Sequence, residues 1–269
     1  MSNPPRSAAR RLRRRIARWA APELEAELAE TKRKLKAARR KLRDRDTQPL
    51  PAEIEAVIVA VRTEHLTYLK RAGLRDLAGR TLELEQRGAE GLIIEAGTAR
   101  GGSAIVMAAA KAPERPMKVY DVFGMIPPPS DHDGADVHER YAKITGGEAR
   151  GPGGGTYYGY RDDLYTEVTE SFARHGVPVA ERSVELIKGL FEDTIEGDEP
   201  VALAHLDGDW YESTMTCLTR IAPRLVPGRR IVLDDYYAWS GCRTAVDEYF
   251  KDRDGFRLQH GSRLHVIRT

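Results

Sequence analysis

Acidic side chains follow two apolar segments of the sequence at the point where each segment ends. Asp207 comes directly after residues 201–206, and Asp234 and Asp235 come directly after residues 230–233. If these segments are neighbouring parallel strands, the three carboxylates converge at one edge of a sheet, where they repel each other unless a cation lies between them. Oxygen ligands without cysteine or clustered histidine favour Mg²⁺, with Mn²⁺ or Ca²⁺ as alternatives, over Zn²⁺. The spacing therefore predicts a divalent-cation site.

For two residues close to Asp207, a structural role is favoured over a role in metal binding or catalysis. Asp209 lies just before a helix that we expect to begin at Tyr211, so a helix cap is favoured for it over metal binding. His205 lies two residues before Asp207 on the same strand. We favour a buried histidine with satisfied hydrogen bonds, and assistance to a catalytic base is the alternative.

A glycine-rich turn follows the first apolar strand. Glu95 lies near the end of this strand, Gly97 follows, and the run Arg100–Ser103 leads into a helix. Glycines in such a turn let a ligand approach the backbone and let the helix pack closely on the sheet, although a plain tight turn needs them as well. The G-x-G-x-x-G spacing of a dinucleotide site is absent. Asp121 ends the second strand, where a carboxylate typically binds a ribose diol, so the strand ends together predict a nucleoside pocket.

Short apolar segments alternate with amphipathic segments over most of the chain. This alternation predicts an α/β fold with a mostly parallel sheet that is covered on both faces. A hairpin near the C-terminus is expected to add an antiparallel edge strand. The predicted strands are 91–96, 117–122, 184–187, 201–206, 230–233, 256–259 and 263–267, and the predicted helices are 53–61, 65–86, 102–111, 164–174, 211–222 and 243–251.

Residues 126–160 interrupt this alternation. They contain prolines, a glycine-rich run and three tyrosines, a composition typical of a long mobile loop. We expect this insert to act as a lid or a substrate loop. Trp239, which follows the acidic pair, is a candidate wall of a substrate site, and packing in the core explains a tryptophan at this position nearly as well.

The first 50 residues differ from the rest in charge. The chain has 269 residues and a net charge of +2, but residues 1–46 carry a net +10 and the remainder a net −8. Leu28, Leu35 and Leu42 repeat every seven residues, which favours a coiled coil and a homo-oligomer over a single helix packed on its own domain. Contact with an anionic membrane surface ranks second. We therefore expect a basic helical arm at 1–50 and a main domain at 51–269.

Composition excludes several protein classes. No apolar segment approaches the roughly 18 residues of a membrane-spanning helix, and the arginine-rich N-terminus lacks the apolar region of a secretory signal. Two cysteines do not make a disulfide framework, so a reducing, cytoplasmic location is expected. The near-neutral net charge gives no indication of a nucleic-acid partner.

The motifs taken together resemble the macrocin O-methyltransferase family over roughly residues 60–255. The residues that carry the resemblance are Glu95, Arg100-Gly101-Gly102-Ser103, Leu206-Asp207-Gly208-Asp209-Trp210-Tyr211-Glu212-Ser213-Thr214, Pro227-Gly228, Asp234-Asp235-Tyr236, Trp239 and the run from Gly241 to Phe250. The insert, the first 50 residues and the tail from His260 to Thr269 depart from the family pattern. The resemblance implies a Rossmann-like class I methyltransferase fold, with a mostly parallel seven-stranded sheet.

The resemblance also implies a set of roles. Glu95, Gly97, Arg100, Gly101, Gly102 and Ser103 would shape the S-adenosylmethionine site, Asp121 would bind the ribose, Asp207, Asp234 and Asp235 would hold Mg²⁺, and Asp207 would double as general base. Residues 67–69 would cover the cofactor.

The implied activity is methyl transfer from S-adenosylmethionine to a sugar hydroxyl. The expected acceptor is a glycosylated small molecule or a glycan with vicinal hydroxyls, activated by the divalent cation. A catechol-type phenolic O-methyltransferase is the alternative enzyme. A non-enzymatic assembly or membrane-surface module, whose sheet only supports the basic arm, is the alternative from another class.

Overall fold

The computed structural model describes residues 30–34 and 49–269, which fall into two separate units, 1–48 and 49–269. Residues 30–34 are helical, and Glu30 and Lys34 form an ion pair at 2.8 Å within this segment. The predicted leucine seam at positions 28, 35 and 42 lies outside the described residues. The coiled-coil arm therefore stays a prediction.

Residues 92–268 contain a seven-stranded sheet with the strand order β3-β2-β1-β4-β5-β7-β6. The first five strands in this order run parallel, and β7 pairs antiparallel with both β5 and β6. The predicted α/β class is confirmed. The C-terminal hairpin adds an antiparallel strand as expected, and β6 rather than β7 occupies the edge. The strands are β1 (Leu92–Ala96), β2 (Met117–Asp121), β3 (Val184–Lys188), β4 (Val201–Leu206), β5 (Leu225–Leu233), β6 (Phe256–His260) and β7 (Leu264–Arg268).

Helices connect the strands and cover the sheet. They are α1 (Ala52–Thr63), α2 (Arg71–Gln86), α3 (Gly102–Ala110), α4 (Ala135–Thr145), α5 (Leu164–Arg174), α6 (Phe191–Thr194), α7 (Tyr211–Ile221) and α8 (Ser240–Phe250), with 3₁₀ turns at Pro152–Gly154, Tyr158–Tyr160, Ala222–Arg224 and Asp235–Tyr237. Among residues 30–34 and 49–269, no helix combines the length and apolar character needed to cross a bilayer.

The core has two layers, one on each face of the sheet. Ile93 of β1 packs in a cluster with residues of α1, α2, α3 and α5, whereas its neighbours Leu92 and Ile94 pack in a second cluster with residues of α7 and α8. Successive side chains of a strand point to opposite faces, so a strand between two helical layers must be apolar throughout. All five residues of β1 are buried accordingly.

One helix prediction is wrong at its start. The apolar spacing from residue 65 onwards predicts a helix over 65–86, but α2 begins only at Arg71. His65 has a φ of 55°, in the left-handed region, and the segment after it forms a connection whose Leu66 carbonyl accepts a hydrogen bond from Gly102 N at 3.0 Å. The buried Leu66 and Leu69 are therefore spaced for packing rather than for a helix.

The insert at 126–160 is packed, not the structureless mobile loop expected from its composition. It contains α4, and its buried apolar residues form a third cluster with Trp210: Ile126, Val137, Ile144, Ala149 and Tyr157. Val137 and Ile144 lie seven residues apart on the buried side of α4. The sequence analysis missed this helix because proline-rich and glycine-rich segments flank it.

Candidate active site

The carboxyl ends of β4 and β5 bring the acidic residues together. The two strands pair in parallel, with Leu206 opposite Leu233, and Asp234 N donates to the Leu206 carbonyl at 3.0 Å. One carboxylate oxygen from each of Asp207, Asp234 and Asp235 lies within 4.8 Å of the others. Three hard oxygen donors at this spacing fit a divalent cation such as Mg²⁺ by donor type and separation.

The electrostatics of the three carboxylates are unequal. Burial, followed by the charges of Asp235 and Asp234, raises the pKa of Asp207 well above its usual range. Burial and the neighbouring charges of Asp209 and Asp234 likewise raise the pKa of Asp235. Burial acts in the same direction on Asp234, but His205 and Arg263 outweigh it and lower the pKa of Asp234 to about 2. A bound cation would relieve the mutual repulsion that raises the first two values.

A buried ion pair lies beneath this cluster. His205 is fully buried, its Nδ1 lies 2.8 Å from Glu95 Oε1, and its Nε2 faces Asp234 Oδ1 at 3.9 Å. Burial opposes the charged imidazole, but Asp234 and Glu95 raise the pKa of His205 to about 10, so the ring is a cation at neutral pH. His205 is thus buried, as favoured from the sequence, but its hydrogen bonds are only partly satisfied: Nδ1 has a partner and Nε2 has none.

Glu95 lies under the glycine turn rather than on its surface. It is fully buried, and its Oε2 accepts a hydrogen bond from Thr98 Oγ1 at 2.6 Å. The structure therefore places Glu95 where it supports the turn after β1 from below. Its predicted role at the cofactor site is indirect in this geometry.

The glycines of the turn are required for close approach. Gly97 has a φ of 87°, and a Cβ there would overlap the Asp207 carbonyl oxygen. Gly101 has a φ of 85° at the start of α3, and a Cβ on Gly102 would overlap the Leu66 carbonyl. Ser103 is buried in the first turn of α3. Arg100 points away from the acidic cluster, and its guanidinium donates to the carbonyls of Glu64 and His65.

Asp121 organises the same turn from the end of β2. Its Oδ2 accepts hydrogen bonds from Thr98 N at 2.8 Å and Ala99 N at 3.1 Å, and its Oδ1 accepts one from Phe123 N at 2.7 Å. Burial raises the pKa of Asp121, and these backbone donors oppose that effect. A carboxylate offers about four acceptor positions, so Oδ1 keeps capacity for one further donor.

Two adjoining cavities open at this edge of the sheet. The first is lined by the turn and the ends of β2 and β3, including Leu190 and Phe191, and it shares Gly97, Asp121, Tyr158, Asp207 and Asp209 with the second. The second, of about 220 Å³, is shared by the acidic cluster and an aromatic wall comprising Tyr68, Tyr157, Tyr158, Trp210 and Trp239. Trp239 was expected here from the sequence, whereas Tyr68, which was expected to cover the cofactor, lines this second cavity. Arg140 and Ile144 of α4 were missed, because nothing in their local sequence indicates that the insert folds over the sheet edge.

The predicted capping role of Asp209 is wrong. No side chain of the residue preceding α7 caps that helix, and the donor Tyr211 N is instead bonded by Asp133 Oδ1 of the insert at 2.8 Å. Asp209 has a φ of 56° and faces the aromatic cavity. Burial and the charge of Asp207 raise its pKa to about 8. The capping residue, Asp133, lies 78 positions away in the sequence, so local spacing could not identify it.

The strand order and the glycine turn after β1 define the class I methyltransferase fold. The O-methyltransferase NovP shares it with a TM-score of 0.61 and 23% identity, over 78% of this chain and 87% of that chain. The calicheamicin methyltransferase CalS11 shares it with a TM-score of 0.56 and 19% identity, over 87% of this chain and 91% of that chain.

The chain belongs to the macrocin O-methyltransferase (TylF) family, whose model matches residues 160–257. The 8-demethyl-8-(2,3-dimethoxy-alpha-L-rhamnosyl)-tetracenomycin-C 4'-O-methyltransferase of Streptomyces olivaceus is 30% identical over 205 residues, which cover 74% of this chain and 69% of that protein. The mycinamicin III 3''-O-methyltransferase of Micromonospora griseorubida is 30% identical over 214 residues, which cover 76% of this chain and 73% of that protein. The resemblance seen in the sequence is confirmed, and the chain is an O-methyltransferase.

Proposed function

We propose that this protein transfers a methyl group from S-adenosylmethionine to a sugar hydroxyl of a glycosylated small molecule or glycan. One observation carries the proposal: an acidic cluster suited to a divalent cation adjoins both the glycine-turn cavity and an aromatic cavity. The relatives add support, because the Streptomyces olivaceus enzyme is named for a rhamnosyl compound and its 4'-position. The acceptor class that we propose carries vicinal hydroxyls.

The glycine-turn cavity is the proposed S-adenosylmethionine site. Gly97 lines this cavity, and Asp121 Oδ1 retains an acceptor position for a ribose hydroxyl. Gly101, Gly102 and Ser103 hold α3 close behind the turn. The β3–α6 connection, with Leu190 and Phe191, supplies the apolar side that an adenine ring needs.

Asp207, Asp234 and Asp235 are the proposed metal ligands. When bound, a divalent cation lowers the pKa of a sugar hydroxyl, which lies far above neutrality in water. Asp207 lies between the two cavities and belongs to the lining of both, so it is placed to take the proton of the acceptor hydroxyl as general base.

The aromatic cavity is the proposed acceptor site. Tyr68 and the insert residue Tyr157 offer apolar faces against which a sugar ring packs, and Trp239 closes the side near the acidic cluster. Tyr68 is half-exposed and its hydroxyl donates to the Arg150 carbonyl at 3.2 Å, which ties the insert over the cavity.

An acceptor panel tests the proposal. The purified full chain is incubated with labelled S-adenosylmethionine, Mg²⁺ and either rhamnosylated natural products or simple catechols, and the position of the label is determined by mass spectrometry. We expect the label on a sugar hydroxyl and little on the catechols. Transfer confined to catechols would instead support the phenolic alternative, since phenols need less activation than sugar hydroxyls.

A further inference from the structure

The β6–β7 turn contributes an arginine to the acidic cluster. Arg263 Nε donates to Asp234 Oδ1, and both side chains are mostly buried, with 13% and 18% of their surface exposed. Arg263 comes from the C-terminal tail, which departs from the family pattern seen in the sequence. The guanidinium packs against Gly73 of α2, where a Cβ would overlap it.

The two cations around Asp234 both contact the same oxygen. His205 Nε2 faces Oδ1 at 3.9 Å, and Arg263 Nε donates to Oδ1 as well. Within residues 49–269, no hydrogen bond to Asp234 Oδ2 is formed. Oδ1 of Asp234 is thus the oxygen that faces both cations, and Oδ2 carries no hydrogen bond from the described residues.

We propose that Arg263 is a positioning residue that holds Asp234 as a metal ligand. This inference rests on the proposed function, in which Asp234 binds a divalent cation. Groups that bond the second oxygen of a ligating carboxylate orient it, and their loss typically weakens metal binding by about ten- to hundredfold. The alternative is that Arg263 competes with the metal. In that case its guanidinium would occupy the cation position, and its removal would tighten metal binding.

Manganese titration separates these roles. Free Mn²⁺ is followed by electron paramagnetic resonance while the full-length wild-type, R263Q, R263K and G73A proteins are added. We expect Mn²⁺ affinity to fall about tenfold or more in R263Q, to be partly restored in R263K, and to fall in G73A, where Arg263 is intact but displaced. R257Q, on the exposed side of the same hairpin, is the matched control and should bind like the wild type.

Affinity for S-adenosylhomocysteine, measured by calorimetry without metal, should stay within about twofold in all variants, since a positioning role leaves the cofactor cavity intact. Unchanged or tighter Mn²⁺ binding in both R263Q and G73A would overturn the inference. Wild-type protein that binds no Mn²⁺ would refute the metal proposal itself, which is a different result from wild-type binding that the variants leave unaltered.

Discussion

At the scale of single residues, Asp207 is the one member of the Asp207, Asp234 and Asp235 cluster that lines both cavities. It lines both the glycine-turn cavity and the aromatic cavity, and its carboxylate is one of the three that converge. We expect Asp207→Asn to lower kcat by about 10²- to 10⁴-fold, the usual contribution of a general base, while S-adenosylhomocysteine still binds. Asp131→Asn, at an exposed insert position, is the control. Turnover close to that of the wild type would remove Asp207 from the catalytic role.

The raised pKa values predict how metal affinity depends on pH. Asp209 has a pKa of about 8, and burial with neighbouring carboxylates raises the pKa of Asp207 and Asp235 as well, so a cation competes with protons at this site. A proton must leave before a cation binds, and affinity for Mg²⁺ therefore rises from about pH 6 to about pH 9.

Calorimetry in two buffers with different ionisation heats measures the protons released on binding. We expect release at neutral pH in the wild type, and less release near pH 8 in Asp209→Asn. Metal affinity that is flat across this range would show that the carboxylates are already ionised without metal.

Sequence spacing predicted the acidic cluster because its members lie at adjacent strand ends, where topology alone brings them together. The contacts that Glu95, His205 and Arg263 make were beyond such reasoning. The contact between Glu95 and His205 spans 110 positions, and Arg263 reaches Asp234 from a hairpin whose register had to be known first. Side-chain networks of this kind depend on tertiary packing.

At the scale of elements, the insert is hydrogen-bonded to the helices that follow the two acidic loops. Asp133 Oδ1 bonds Tyr211 N at the start of α7, and Asp136 Oδ2 accepts from Ser240 N at the start of α8 at 3.0 Å. Gly241 accommodates this contact, because a Cβ there would overlap Asp133. The insert and the acidic loops therefore share one rigid framework.

Removal of these contacts should affect acceptor binding more than cofactor binding. Asp133→Ala loses a helix cap, which costs about 1 kcal/mol of unfolding free energy, and loosens the aromatic cavity. We expect a higher KM for the acceptor, a nearly unchanged KM for S-adenosylmethionine, and a lower unfolding midpoint, with Asp131→Ala as control. Equal changes in both KM values would argue against a specific link to the acceptor site.

At the scale of the whole molecule, the site residues identified at the sheet edge all belong to the unit at 49–269. That unit contains the sheet and the core clusters on both its faces.

A chain of residues 49–269 should therefore fold and turn over with kcat within about twofold of the full chain, because a domain with its own core needs no external support. Analytical ultracentrifugation of both chains tests the separate prediction from Leu28, Leu35 and Leu42. A coiled-coil arm predicts a larger species for the full chain only. Loss of turnover on truncation would mean that the arm contributes to the site.

The central claim is that methyl transfer to a sugar hydroxyl depends on a divalent cation at the acidic cluster. The most direct measurement is transfer of label from S-adenosylmethionine to a rhamnosylated acceptor by the full chain after chelation with EDTA and after Mg²⁺ is restored. We predict that chelation abolishes transfer, that Mg²⁺ restores it in the wild type, and that Asp234→Asn and Asp235→Asn need far more Mg²⁺. Undiminished transfer in the metal-depleted enzyme would contradict the account.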